Sequence, residues 1–383
     1  MERIITSLLD NDLYTFTVGQ VAFKYFRGAK VQYQFINRGK TRFPTGFVDE
    51  LKRQLELMKE LKLTEEELAY LTKLGHFSQD YLDFIKAFRF DPTQITITEH
   101  DGNLSAEFNG EWETLIMWEV PFLALVSELY YKLMGAQKDD KWIIRIVDKA
   151  EKLDEAACRW MEFGTRRRFD FATQEKVVAV QKHYNGFLGT SNVFLAMKYD
   201  VPCNGTMSHQ GPMAMQAKYG AAMANSEWRK AWRNCYGNKL NTFLPDTFTT
   251  KVFLQGFDNV DATQWNLRQD SGNPYQWMTD ILLHYLKLGI NPKGKTAVFS
   301  DSLNPELFIH LTQTYRKYIN VVGGIGTNLS NDCGHKALSI VIKLTGGDFG
   351  EGFVDVVKLS DDPVKHTGKP EAIAKTKAEL GLV

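Results

Sequence analysis

Cysteine is scarce in this chain. Four residues, Cys158, Cys203, Cys235 and Cys333, are scattered over 383 positions with no CxxC pair. A disulfide framework or a zinc ribbon is therefore not expected, and the usage fits a reducing cytoplasm. Net charge is missing as well. The 46 Lys and Arg balance 46 Asp and Glu, so no global field calls for nucleic acid or an anionic membrane. No apolar run approaches the ~20 residues of a membrane span. The opening Met1-Glu2-Arg3-Ile4-Ile5 has no signal-peptide core. Ser/Gly linkers, low-complexity segments and internal repeats are absent. So are a Walker loop, GxGxxG, HExxH and a Ser–His–Asp pattern, which weakens nucleotide-fold, zinc and hydrolase readings. Hydrophobic residues make up 44% of the chain, enough for large cores, and the length suggests about two domains.

The stretch Leu8 to Tyr14 opens a helix that runs through Gln20 and Phe26, and Asp10, Asn11 or Asp12 can cap its N-terminus. Val31 to Ile36 alternates as a strand, followed by a basic turn with Arg38, Lys40 and Arg42. Residues 46–90 carry apolar positions at helical spacing. Asp101-Gly102-Asn103 between two alternating runs signals a hairpin, and Trp112 to Trp118 is expected to be another strand. Beyond Glu119-Val120-Pro121-Phe122 a long helix follows, and then strand and helix alternate, which implies parallel pairing. Candidate reactive residues fall just after the strands, where an α/β barrel gathers its chemistry. The expected organisation is therefore an α+β first domain over residues 1–129 and a barrel-like domain over 130–335. Two late strands and a helix in 336–383 are expected to return to the first domain.

The strand-end residues favour an anionic ligand. Gly323-Gly324-Ile325-Gly326-Thr327 offers free backbone N–H groups and a hydroxyl, a setting for a phosphate. Its plainer alternative is a glycine turn made for packing. Arg166-Arg167-Arg168 after a strand offers guanidinium groups, the preferred partners of phosphate and carboxylate. Arg268-Gln269-Asp270-Ser271 combines a cation, an acid and a hydroxyl, and Ser300-Asp301-Ser302 adds more. Asp361, Asp362 and His366 read as solvated loop residues. His209, in Gly205-Thr206-Met207-Ser208-His209-Gln210, follows Gly189-Thr190-Ser191 and stands among small polar residues. These features together point to a sugar-phosphate or phosphoryl-transfer substrate.

These motifs, in this order, resemble the nicotinate phosphoribosyltransferase family from Asp12-Leu13-Tyr14 to Lys358-Leu359-Ser360-Asp361. The resemblance is carried by Phe163-Gly164-Thr165-Arg166-Arg167, Gly189-Thr190-Ser191, Gly205 to His209, Arg268 to Gly272, Phe299-Ser300-Asp301 and Gly324 to Thr327. It implies an α/β fold: an N-terminal α/β sandwich domain plus an irregular α/β barrel, of the type II phosphoribosyltransferase kind, in a cytoplasmic homodimer with sites at its interface. It implies transfer of phosphoribosyl from phosphoribosyl pyrophosphate to nicotinate with ATP as co-substrate and Mg²⁺, in NAD salvage. His209 would be phosphorylated by ATP, and Phe163 would stack on the pyridine ring with Tyr14 of a second copy opposite. Arg166 would bind anionic groups. Arg268 and Asp270 would hold the ribose-phosphate, with Mg²⁺ on Asp270. Gly323, Gly324 and Thr327 would take the 5′-phosphate. Thr190, Ser191, Ser271 and Asp301 complete the expected set, with Ser191 donating to the ring carboxylate. The sequence departs from the family at Gln210, commonly Glu, and at Asn273, commonly Asp. Alternatives are nicotinamide or quinolinate as substrate, or a non-catalytic barrel binding a phosphorylated metabolite.

Overall fold

The computed structural model describes residues 1–382. The early strands are β1 (Lys30–Asn37), β2 (Ile95–His100) and β3 (Asn103–Glu111). A middle group comprises β4 (Trp160–Glu162), β5 (Phe187–Thr190), β6 (Thr242–Phe243), β7 (Asn266–Gln269), β8 (Thr296–Phe299) and β9 (Asn320–Ile325). β10 (Ile340–Asp348) and β11 (Phe353–Asp355) come last.

Val31, Tyr33 and Phe35 alternate along β1 and are buried, which gives the strand one apolar face. β1 lies at the centre of a five-stranded antiparallel sheet of order β11-β10-β1-β3-β2. The β2–β3 turn places Asp101 at φ 50° and Gly102 at φ 74°, the two left-handed residues that a type I′ hairpin requires. The late strands thus join the first sheet, with Phe35 opposite Ile342. The final helix, Pro370–Glu379, instead packs on helices 210–236, through Thr376 to Gln216 and Glu379 to the Ala222 amide.

The stretch from Trp112 to Trp118 is not a strand. It forms a turn of α-helix, Trp112–Leu115, and a 3-10 turn, Ile116–Trp118, leading into helix Glu119–Leu133. Trp112, Leu115, Ile116, Met117 and Trp118 are all buried. A segment surrounded by core on every side has no period to read. The helix that follows runs across residue 129, so the two units share a helix at that point rather than a linker.

The second sheet is wholly parallel, in the order β5-β4-β9-β8-β7-β6. The gap between β5 and β6 is closed by irregular chain. Thr190 bridges Cys203, and the Thr206 hydroxyl donates to the Thr242 carbonyl at 2.6 Å. The result is an irregular α/β barrel. Gly189, at φ 111°, makes this closure possible, because a Cβ there would lie 1.9 Å from the Pro202 carbonyl oxygen. Met161, Val298 and Val322 form a small apolar cluster with Phe163 and Leu188, on which the site is built.

Candidate active site

Two pockets open at the C-terminal ends of the barrel strands and share Phe163, Arg166, Arg268 and Asp270. One is polar, lined by Arg167, Ser300, Asn304, Gly324, Gly326 and Thr327. The other is more aromatic, with Tyr14, Ser191, Met207, His209 and Lys343 on its walls. The polar pocket has the features of an anion site: arginines, glycine backbone and a hydroxyl.

Phe163 follows β4 directly. Its amide donates to the Ile325 carbonyl at 2.9 Å, and its ring lies over Gly324. A Cβ on Gly324 would come within 2.5 Å of that ring, so this glycine serves close approach of ring and strand. Gly323 does not belong to the site. Its neighbour is the Phe308 ring, 2.7 Å from where a Cβ would be, and its role is packing. We expect Gly324→Ala to displace the Phe163 ring and to raise KM for the ring substrate about tenfold or more, since small misplacements at a site are costly. An unchanged KM would show that the ring position does not matter.

His209 is buried and held from several directions. Nδ1 lies 3.0 Å from the Thr247 hydroxyl, and Nε2 lies 3.0 Å from Asp270 Oδ2 and 2.9 Å from Lys358 Nζ. The role of Nε2 depends on which partner it serves. With the ring hydrogen on Nδ1, donated to Thr247, Nε2 accepts from the Lys358 ammonium. With the hydrogen on Nε2, it donates to Asp270. Burial, and then the Lys358 charge, push the imidazole down to about 4. The ring is therefore neutral at pH 7 with a lone pair available, as a nucleophile needs.

The groups around His209 form a connected network. Lys358 also donates to Asp246, at 3.1 Å. Asp246 accepts from the Ser271 hydroxyl at 2.6 Å, and Ser271 accepts from the Asp361 amide. Asp270 accepts from Ser300 at 2.9 Å. Burial works to raise both the Asp246 and Asp270 carboxyls, but the adjacent cations and hydrogen bonds outweigh it, and both stay ionised. His209, Asp246 and Asp270 could together hold a metal ion. Lys358, however, already supplies a cation between His209 and Asp246, so Asp270, on the pocket wall, is the acid better suited to Mg²⁺.

Several expected contacts are taken up by the protein itself. Ser271 braces Asp246 and Asp361 and lines neither pocket. Thr190 is buried, and its hydroxyl donates to Glu162 Oε2 at 2.6 Å. Asp301 accepts from Lys365 at 2.6 Å and is absent from both linings. Ser191 does border the aromatic pocket, but its hydroxyl donates to Asp12 Oδ1 at 2.7 Å, so its hydrogen is not free for a substrate. Tyr14 lines the pocket from the same chain, where the sequence reading assigned that face to a second copy. Asp361 is not a solvated loop residue. It accepts from both the amide and the hydroxyl of Thr250.

The arginine run divides by function. Arg168 is fully buried on Asp10, whereas Arg166 and Arg167 face the pockets. Burial and the neighbouring Arg166 and Arg38 charges push Arg167 down to about 10. Both residues that depart from the family pattern have roles within the fold. Gln210 accepts from the Tyr33 hydroxyl at 2.7 Å and donates to Glu119. Asn273 is exposed and caps helix Pro274–Lys287 through the amides of Tyr275 and Gln276.

Sequence reasoning left Asp12, Glu119, Lys343 and Lys358 out of the site. The two lysines carried a signal: each is a single cation within an apolar run, Ile340-Val341-Ile342-Lys343-Leu344 and Val356-Val357-Lys358-Leu359. A lysine in such a setting needs a partner or a purpose.

Comparison with known proteins matches the model of the nicotinate phosphoribosyltransferase (NAPRTase) family over residues 158–381, and that of its N-terminal domain over 9–127. The chain belongs to the nicotinate phosphoribosyltransferase family. A nicotinate phosphoribosyltransferase of Chromohalobacter salexigens is 38% identical, over 99% of both chains. One of Desulforapulum autotrophicum is also 38% identical, over 97% of both. The crystal structure of nicotinate phosphoribosyltransferase from Porphyromonas gingivalis superposes with a TM-score of 0.96 at 36% identity, covering 99% of this chain and all of that one.

Proposed function

We propose that the chain transfers phosphoribosyl from phosphoribosyl pyrophosphate to nicotinate, releasing diphosphate and forming nicotinate mononucleotide, and that ATP phosphorylates His209 in support of this step. The observation that carries the reading is the joining of an aromatic and an anion-binding pocket through Phe163, Arg166, Arg268 and Asp270. A flat ring and a sugar phosphate bound in these two pockets meet at the shared residues.

The chemistry asks for positioning and charge stabilisation more than for acid–base work. Diphosphate leaves C1 of the ribose, positive charge builds on the sugar, and the ring nitrogen attacks. Arg166, Arg167 and Arg268 offset the anionic groups, and Thr327 with the Gly324 and Gly326 backbone takes the 5′-phosphate. Mg²⁺ supplies charge neutralisation for the diphosphate when bound, and Asp270 is the residue that would hold it. Neutral His209 can accept the γ-phosphoryl of ATP, and the added charge would change the balance among Lys358, Asp246 and Asp270. The family resemblance also supports a homodimer.

The test of ATP coupling is a turnover assay at limiting phosphoribosyl pyrophosphate, with and without ATP, counting ADP and mononucleotide together. The expected result is faster mononucleotide formation with ATP, accompanied by ADP. ADP release unlinked to mononucleotide formation, or no effect of ATP, would overturn it.

A further inference from the structure

The preference for an acid over an amide on the ring needs a cation, and the one the family resemblance offers, Arg166, is already engaged by carboxylates. Ser191, expected to donate to the ring carboxylate, gives its hydrogen to Asp12. Asp12 and Glu119 also border the aromatic pocket, and two carboxylates near an anionic substrate are unfavourable unless cations answer them. Arg166 stands 3.9 Å from each of these acids, so its charge is already partly answered.

Lys343 is placed differently. It lies on β10, opposite Gln34 of β1, so it reaches the pocket from the first sheet while Arg166 comes from the barrel. No carboxylate lies within salt-bridge distance of its ammonium among the described residues, and no acceptor there takes its hydrogen bonds. The charged groups around it are Lys358, Glu119, Arg38 and Arg166, three of them cations. Burial, with Lys358 next, pushes the amine down to about 7. An ammonium with three like charges around it and no bonded partner is a site that an incoming anion relieves. The anion best matched to the aromatic end of the cleft is a carboxylate carried on a flat ring.

We propose that Lys343 is the specificity residue for the ring carboxylate, gripping it from the first sheet while the ring rests against Phe163. The proposal rests on the nicotinate reading above. It makes the first sheet part of the site: an amide substrate would meet the same lysine without the ion pair.

The test compares Lys343→Met and Lys343→Arg with the parent protein, measuring kcat/KM for nicotinate and for nicotinamide and KM for phosphoribosyl pyrophosphate. A charge-assisted hydrogen bond corresponds to about 10- to 100-fold. Lys343→Met should lose that much kcat/KM on nicotinate, narrow the nicotinate–nicotinamide ratio and leave KM for phosphoribosyl pyrophosphate unchanged. Lys343→Arg should keep most of the preference. A rise in KM for phosphoribosyl pyrophosphate instead, or an unchanged substrate ratio, would overturn the assignment. If Lys343→Met does not fold, reductive methylation of the unmodified protein, read by peptide mass, gives the answer. Nicotinate alone should protect Lys343, and no protection, or protection only by phosphoribosyl pyrophosphate, would overturn it. A parent protein that does not turn over nicotinate at all would instead bring down the functional reading.

Discussion

Arg168→Met should destabilise the protein by about 3–5 kcal/mol, the cost of leaving a buried charge without its partner. Arg168 and Asp10 are 0% and 2% exposed, and the guanidinium fork meets the carboxylate with bonds of 2.6 and 2.7 Å. Removing the fork leaves the Asp10 carboxylate in the core with Asn192 Nδ2, at 2.8 Å, as its remaining side-chain donor. The Gln174 oxygen loses its donor too. Lysine at 168 restores the charge without the two-pronged geometry and should recover only part of the loss. Arg166→Met is the contrast within the same run. Arg166 is 40% exposed and 3.9 Å from its acids, so its replacement should cost less than about 1 kcal/mol of stability while impairing turnover. Urea denaturation of the two variants measures their stabilities, and a turnover assay of Arg166→Met measures the activity. Equal losses at 166 and 168 would contradict the division of the run into a structural and a binding arginine.

His209→Ala should abolish phosphorylation by ATP and all ATP stimulation of turnover while leaving the fold intact. The fold should survive because Lys358 and Asp246 keep their 3.1 Å ion pair without the imidazole, so no buried charge is orphaned. Phosphorylation should fail because the variant lacks the imidazole that Thr247, Asp270 and Lys358 hold in place at the aromatic pocket. The step needs the Nε2 lone pair to attack the γ-phosphorus as the bond to the ADP oxygen breaks. ATP labelled in its γ-phosphate should therefore leave acid-labile label on the His209 peptide of the parent protein and none on the variant. Unchanged ATP stimulation in the variant would remove the phosphohistidine role. Thr247→Val separates positioning from reaction. It should slow labelling without abolishing it, because it removes only the Nδ1 partner.

The strand-then-helix rhythm made the parallel barrel legible, and the rule that chemistry gathers after barrel strands pointed to Arg166, His209, Arg268 and Asp270, while Phe163 came only from the family resemblance. The hairpin at Asp101-Gly102 was legible because its turn demands particular residues. What could not be read was where polar side chains spend their hydrogen bonds. Thr190, Ser191 and Ser271 look like ligand contacts in the sequence, yet their hydroxyls go to Glu162, Asp12 and Asp246. Those partners lie far away in sequence, and only the fold brings them together. The same holds for Lys358, which comes from the end of the chain to reach a histidine in the barrel. Trp112 to Trp118 misled because burial on every side erases the periodicity that tells helix from strand. Gly323 and Gly324 look alike in sequence, and only the side of β9 that each faces decides that one packs on Phe308 and the other receives Phe163.

The central claim, a phosphoribosyltransferase that takes nicotinate, is tested most directly by competition. The protein is mixed with phosphoribosyl pyrophosphate, Mg²⁺ and ATP, with nicotinate, nicotinamide and quinolinate present together at equal concentration, and the mononucleotides are separated and counted. Nicotinate mononucleotide should be the dominant product, matched one for one by diphosphate. Dominance of either other mononucleotide, or no mononucleotide at all, would contradict it.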